Sequence, residues 1–243
     1  MSKKISLKQF LMKSGKFQKA YGCVEEIKSG SVTINGEVIT NPSHFFNPKK
    51  SLVKLNDEKL KTASMLYFIM NKPAGYLSQK SAEEKNIYYL LQSLNLSNES
   101  LQSLHAVGRL DKDTEGLMIL TNDGKLSNII MEPKSEIIKK YNALLENPIH
   151  KEKIKELEKG IELEVDYEKY KTKPCKIKIV GEKEIYISIS EGRKRQIRIM
   201  FESIGNKIAH LKRVSIGGLQ LGKLNSGEIK KITKEEIWDK LKF

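Results

Sequence analysis

Between Leu7 and Gly30 apolar residues return every three or four positions: Leu7, Phe10 and Leu11, then Phe17, Ala20, Tyr21, Val24 and Ile27. At 3.6 residues per turn such positions share one face, so the pattern predicts two short helices. Ser6 can cap the first, Gly15 breaks it and Gly30 ends the second. The period then changes to that of strands. In SVTINGEVIT, β-branched residues flank Asn35 and Gly36, the pair that suits a type I′ turn, so a hairpin follows the helices. The result is a compact ααββ unit ending near Leu60. Residues 56–64 are polar without apolar period and read as a linker, which divides the chain into domains of residues 1–60 and 61–243.

The larger remainder alternates strands and helices. MLYFIM and LMILT are short apolar runs bounded by turn signals, while CKIKIV and EIYISIS alternate and are joined by Gly181, Glu182 and Lys183 as a hairpin. Helices fit at residues 125–131, stopped by Glu132 and Pro133, at 151–158, and at 195–204, stopped by Gly205. An α+β fold is expected, with a mixed, mainly antiparallel sheet flanked by helices.

Composition narrows the function classes. The 243 residues, 39% of them hydrophobic, suffice for a packed core. The longest apolar run, residues 65–70, is far short of the roughly 20 residues that span a bilayer, and residues 1–9 lack a signal-type apolar stretch. A cytoplasmic protein without membrane partners is expected. Cys23 and Cys175 stand far apart and the four histidines have no ligand spacing, so neither a disulfide framework nor a metal is indicated. With 44 Lys+Arg against 30 Asp+Glu the net charge is +14, the footprint of a phosphate-rich partner. Compositional bias of the gene would give the same excess, so charge alone does not identify nucleic acid.

The candidate chemistry lies in GRLDKDTEGLMILTNDG, residues 108–124. Gly108 permits a tight backbone, Leu110 and residues 117–120 are core-type, and Asn122, Asp123 and Gly124 form a turn, so Asp111 belongs to a loop feeding a buried strand. A half-buried carboxylate is costly unless a cation pairs with it, and Arg109 or a distant arginine must supply that cation. In isolation an Arg-Leu-Asp tripeptide would be read as a structural ion pair.

Other stretches change that reading. The first 60 residues resemble the S4 RNA-binding domain, whose glycine-punctuated helix pair and G-x-V-x-V-N-G hairpin are matched by GSVTINGEV; Lys16 and Lys19 would supply the phosphate contacts. Residues 108–124 resemble the signature of pseudouridine synthases. NKPAG resembles the K-P-x-G motif of that family, KKYNALL its K-x-Y motif, and SEGRKRQIRIMFESIGN its last motif, all in the family order. Together with the S4-like domain, they make the chain similar to the branch that modifies ribosomal RNA and includes the RsuA-type enzymes.

That resemblance implies roles. Asp111 matches the catalytic aspartate, which opens the glycosidic bond of uridine so that the base rotates and rejoins the ribose through carbon. Arg198 matches the arginine that pairs with it, on a helix face shared with Arg195 and Glu202 and opposite Ile197, Met200, Phe201 and Ile204. Tyr141 matches the aromatic that stacks on the extruded uracil, and Arg109 the arginine that fills the space the nucleotide leaves. Lys72 and Lys139 are scaffold or phosphate contacts, and Arg193 and Arg195 begin a basic stretch suited to an RNA backbone.

His105 and Ala106 replace the family's usual aromatic and proline, and Ile199 replaces a second arginine; both bear on substrate preference. IGG, L-x-x-G-E and EEI in the tail look most like the small-subunit enzymes. The expected activity is isomerisation of a uridine in 16S rRNA, of the uridine 516 type, with no cofactor. The partner is ribosomal RNA or an assembling ribosomal subunit, and a monomer is expected. Two alternatives are a large-subunit (23S) enzyme of the same branch and a silent RNA-binding assembly factor. A glycosidase using Asp111, Asp113 and Glu115 ranks last, since three acids within five residues do not readily face one another across a sugar.

Overall fold

The computed structural model describes residues 4–17, 20–62, 64–165 and 168–241; Lys19 lies outside the described residues. The chain forms two compact units, Met1–Leu66 with Leu91–His105, and Tyr67–Leu90 with Ala106–Phe243.

In the first unit the helix Leu7–Ser14 starts at a capping box: Ser6 Oγ accepts from Gln9 N and Gln9 Oε1 accepts from Ser6 N, both at 3.3 Å. Gly15 ends it in the left-handed region. The second helix is Ala20–Lys28. Asn35 and Gly36 both have positive φ, as the I′ hairpin requires. Leu7, Phe10, Leu11, Cys23, Ile27, Val32, Ile34, Phe46, Val53 and Leu60 form one core, in which the Phe10 and Phe46 rings meet edge to face at 5.3 Å.

Two expectations are corrected here. The sheet has four strands, in the order Glu37–Val38, Val32–Ile34, Val53–Leu55, Glu58–Leu60. Residues 56–60 are therefore not linker: Asn56 and Asp57 turn a second hairpin with positive φ, and Leu60 returns to the core. A single inward apolar residue on an edge strand leaves no period to read. The second correction concerns Leu91–His105, which clusters with this unit although it lies far along the chain. Its helix Asn98–Ser103 packs on Leu7–Ser14, so closely that a Cβ on Gly15 would lie 2.0 Å from Glu99 O.

The second unit is built on a mixed, mainly antiparallel sheet. Its order is Lys176–Ile179, Glu184–Ile189, Lys139–Leu145, Ile208–Ile216, Glu115–Thr121, Tyr67–Lys72, Ile229–Lys231. Only the neighbours Ile208–Ile216 and Glu115–Thr121 in that order are parallel, and they meet at Gly116 opposite Arg213. A side chain does not fit there, since a Cβ would lie 2.3 Å from Arg213 O at a φ of +114°. Leu117, Met118, Ile119 and Leu120 are all fully buried, so the strand is covered on both faces, which explains a continuous apolar run instead of alternation.

The helices at Gly124–Met131 and Lys151–Lys159 match expectation. The third runs Gln196–Ser203 and starts one residue later than expected: Arg195 is its cap, in the left-handed region at φ 50°. Additional to the sequence-based expectation are the hairpin of Glu162–Val165 with Glu168–Lys171, the helix Lys234–Lys240 and the edge strand Ile229–Lys231. Among the described residues no helix is long and apolar enough to cross a membrane.

Candidate active site

The loop carrying Asp111 is pinned from beneath. Lys72 ends a fully buried strand, and its Nζ donates to Thr114 O at 2.7 Å, Pro73 O at 2.9 Å and Lys112 O at 3.3 Å. Gly75 N donates to Lys112 O at 2.7 Å, and Thr114 N to Asp111 O at 3.1 Å. On the other side Ser78 Oγ donates to Leu110 O at 2.7 Å and accepts from Leu110 N at 3.0 Å. Burial pulls the Lys72 ammonium down to about 8, against the opposing pull of Asp113, Asp111 and Glu115. With no exposed surface, Lys72 is a strut that holds the loop. Its expected alternative role as a phosphate contact is corrected accordingly.

Above this loop opens a cleft of about 460 Å³, counted to its mouth, whose walls include Arg109, Asp111, Tyr141, Arg193, Arg195 and Arg198. These residues come from three separated stretches. Tyr141 is buried on the strand Lys139–Leu145, and Asp111 is half-buried. Arg109 and Arg193 are exposed, and the Arg193 guanidinium stacks on the Tyr170 ring at 4.1 Å.

Arg198 does not occupy the place the sequence suggested. It is 7% exposed, buried with Ile197, Met200 and Phe201 and not facing solvent. Its Nη1 donates to Ile208 O at 2.9 Å and its Nη2 to Asp113 O at 3.2 Å. Its Nε stands 3.2 Å from Asp113 Oδ2, close enough for an ion pair, with the N–H turned out of hydrogen-bonding line. Arg195 Nη1 donates to both Asp113 oxygens, at 3.2 and 3.4 Å. The expected pair between Arg198 and Asp111 is therefore replaced by one with Asp113. Among the described residues no Lys, Arg or His nitrogen lies within 4.0 Å of the Asp111 carboxylate. The turn that bonds Thr114 N to Asp111 O sends the side chains of residues 111 and 113 to different neighbours.

Glu115 is committed elsewhere. Lys212 Nζ lies 2.9 Å from one of its oxygens and His210 Nε2 3.5 Å from the other; burial raises its carboxyl, but these contacts, the Lys212 ammonium foremost, outweigh it and hold the carboxyl below the usual range. Of the three acids only Asp111 lines the cleft, so no facing pair of carboxylates exists for glycoside hydrolysis.

Reasoning from sequence missed Ser78 and Arg213. Ser78 gives no local signal. Arg213 does, because Leu211, Arg213 and Ser215 alternate inward along one strand, and that period places Arg213 inside. It is 3% exposed, lies opposite Tyr141 in the sheet, and its Nε donates to Leu117 O at 2.7 Å. Lys139 is half-buried on the strand of Tyr141, its ammonium lowered by burial first and by Arg213 second. Lys16, in the other unit, is exposed and pairs with Glu58 at 3.1 Å.

Comparison with known proteins bears on this arrangement. The family model described as RNA pseudouridylate synthase matches residues 66–203, a span that holds Asp111, Tyr141 and Arg198. Ribosomal small subunit pseudouridine synthase A of Escherichia coli (strain K12) is 33% identical over 214 residues, 87% of this chain and 90% of that protein. Ribosomal large subunit pseudouridine synthase B of Bacillus subtilis (strain 168) is 35% identical over 221 residues, 88% and 86% of the two chains. A crystal structure of pseudouridylate synthase aligns with a TM-score of 0.68 at 32% identity, over 98% of this chain and 99% of that one. With more than half of its length matched by the family model and relatives above 30% identity along most of it, this chain belongs to the RNA pseudouridylate synthase family.

Proposed function

We propose that this enzyme isomerises a uridine of small-subunit (16S) ribosomal RNA, of the uridine 516 type, with Asp111 as the catalytic carboxylate. The observation that carries this reading is the convergence of Asp111, Tyr141 and Arg198, from three separated stretches, on one cleft. The reaction is redox-neutral. The bond from the ribose carbon to N1 of uracil breaks, the base turns, a bond to C5 forms, and the proton lost from C5 is balanced by one gained at N1. No cofactor is needed, and the groups required are a carboxylate at the sugar, a surface that holds the free base, and a wall against water.

Asp111 supplies the first, half-buried and with no cation within 4.0 Å among the described residues. The buried ring of Tyr141 supplies the second, because every base offers a π-face to an aromatic side chain. Arg109, exposed at the rim, has the reach to enter the space left in the RNA by the flipped nucleotide. Arg193 and Arg195, also at the rim, suit backbone phosphates. Arg198 acts through the loop: by bonding Asp113 O and pairing with its carboxylate, it sets the turn that aims Asp111.

The first unit fits an S4-like RNA anchor, with Lys16 among its contacts, on a cytoplasmic monomer that works on ribosomal RNA or an assembling subunit. The tail motifs favour the small subunit. The near-equal identities to small- and large-subunit enzymes keep 23S rRNA as the second reading.

Asp111→Asn tests the chemistry. It should abolish pseudouridine formation while RNA affinity stays within about twofold, since the basic surface is unchanged. Product from the pure variant at the wild-type rate would refute the assignment. Mapping pseudouridine on ribosomal RNA from cells with and without the gene decides the target: loss in 16S supports the proposal, and loss confined to 23S replaces it with the second reading.

A further inference from the structure

A second, larger cleft of about 1230 Å³, counted to its mouth, adjoins the catalytic one and shares Arg109, Tyr141, Gly192 and Arg193 with it. Its inner wall holds Arg213 and Lys139, which the reaction as derived above does not use. We propose that this cleft is an anion subsite that receives a backbone phosphodiester next to the target uridine, with Arg213 and Lys139 as its cations. The proposal rests on the reading of the neighbouring cleft as a uridine site in RNA.

The charges are the argument. Arg213 is 3% exposed, and among the described residues no carboxylate lies within 4.0 Å of its guanidinium. One N–H is spent on Leu117 O, while Nη2 is buried with no hydrogen-bond partner. Lys139 likewise has no carboxylate within 4.0 Å among the described residues, and its charged form is disfavoured by burial and by Arg213 itself. Two like charges side by side in a half-buried wall are costly, and a protein that needed them only for packing would pair them.

The acids of this cleft are engaged or peripheral. Glu191 Oε1 accepts from Lys173 N at 2.9 Å and Gln196 Nε2 at 2.6 Å, Lys173 Nζ pairs with Glu136 at 3.0 Å, and Glu132 is exposed. An anion entering from outside is what offsets the Arg213 and Lys139 charges. The substrate already at hand, an RNA strand whose flipped base lies against Tyr141, brings such an anion on either side of that base. Tyr141 faces both clefts and Arg213 lies opposite it in the sheet, so base and phosphate would sit on adjoining positions of one strand pair. Val107, Ile130, Met131 and Ile216 line the rest of the cleft and offer apolar contact to the flanking sugar or base.

The test measures RNA affinity against salt for the wild-type enzyme, Lys139→Met, Arg213→Met and Arg213→Lys. The RNA is a fragment that the wild type converts, either unmodified or with single neutral methylphosphonate linkages on either side of the target. One neutral linkage should weaken wild-type binding about tenfold, the scale of one charge-assisted contact, and should weaken Lys139→Met and Arg213→Met far less. Each Met variant should also lower the slope of log affinity against log salt by about one, while Arg213→Lys keeps the slope and binds more weakly. If Arg213→Met does not fold, Lys139→Met and the modified RNAs carry the test. Equal loss from every linkage in all proteins, or unchanged slopes, overturns the subsite. Binding and turnover are read separately: unchanged slopes with normal conversion defeat only this proposal, and changed slopes with wild-type turnover in Asp111→Asn defeat only the catalytic one.

Discussion

Asp113 takes the Arg198 contact that the sequence motif assigns to Asp111. It is half-exposed, so the two arginine contacts contribute about 1 kcal/mol to stability rather than the several of a fully buried pair. Its weight is positional. Arg198 reaches the loop through the backbone oxygen of Asp113 as well as its carboxylate, so releasing it loosens the turn on which Asp111 sits. On the proposed role of Asp111 as the catalytic carboxylate, Asp113→Asn should cut single-turnover rate at saturating RNA by about 10- to 100-fold, since small misplacements of such a group are costly. Affinity should change little. Arg198→Lys should restore only part of what Arg198→Ala loses, because an ammonium cannot bond Ile208 O, Asp113 O and the carboxylate from one plane. Wild-type turnover in Asp113→Asn would show that the turn does not depend on this pair.

Two elements make the loop possible. The parallel crossing at Gly116 brings Arg213 and Lys212 beside the signature strand, and Gly116→Ala should destabilise the second unit by more than about 3 kcal/mol, because a backbone atom stands in the way and the φ is left-handed. Chemical denaturation of the purified variant measures this. The strand Tyr67–Lys72 ends in a lysine whose ammonium is lowered from 10.5 to about 8 by burial. Between those values the unfolded chain still holds a proton that the folded chain has released, so stability from this group rises with pH across that window. Below pH 8 the cost of burying the charge, about 3 kcal/mol, is fully present. The stability of wild type minus that of Lys72→Met should accordingly rise by about 3 kcal/mol as pH is raised from below 8 to above 10. Denaturation curves showing a constant gap would mean that Lys72 keeps its charge throughout.

At the scale of the molecule, RNA bound by a chain of net charge +14 should be released steeply as salt is raised. If the first unit anchors RNA, Lys8→Ala with Lys16→Ala should lower the salt slope by about one to two, with both residues exposed and outside the core. An unchanged slope would assign that unit another partner. Point substitutions suit this question better than removal of the first 60 residues, because Leu91–His105 packs with that unit and would lose its support.

Local hydrogen bonding and periodicity are legible in the sequence alone. The Ser6 cap, the Asn35-Gly36 turn, the helices after Asp123 and His150, and the hairpin into EIYISIS each depend on neighbours a few residues away, so their signals are contiguous. The C-terminal helix carried such a signal as well, in the capping box of Thr233 and Glu236. The motif residues Asp111, Tyr141 and Arg198 were also readable one by one. Their grouping in one cleft is a tertiary fact, as is the exchange of Asp111 for Asp113 at Arg198, since ion pairing depends on ångström distances between segments 85 residues apart. The same holds for the burial of Lys72, the return of Leu91–His105 to the first unit, and the buried Nη2 of Arg213, which has no hydrogen-bond partner among the described residues. A charged residue looks alike in sequence whether it meets water, a carbonyl or nothing. Only packing, which removes the water, decides what that charge costs and what it can bind.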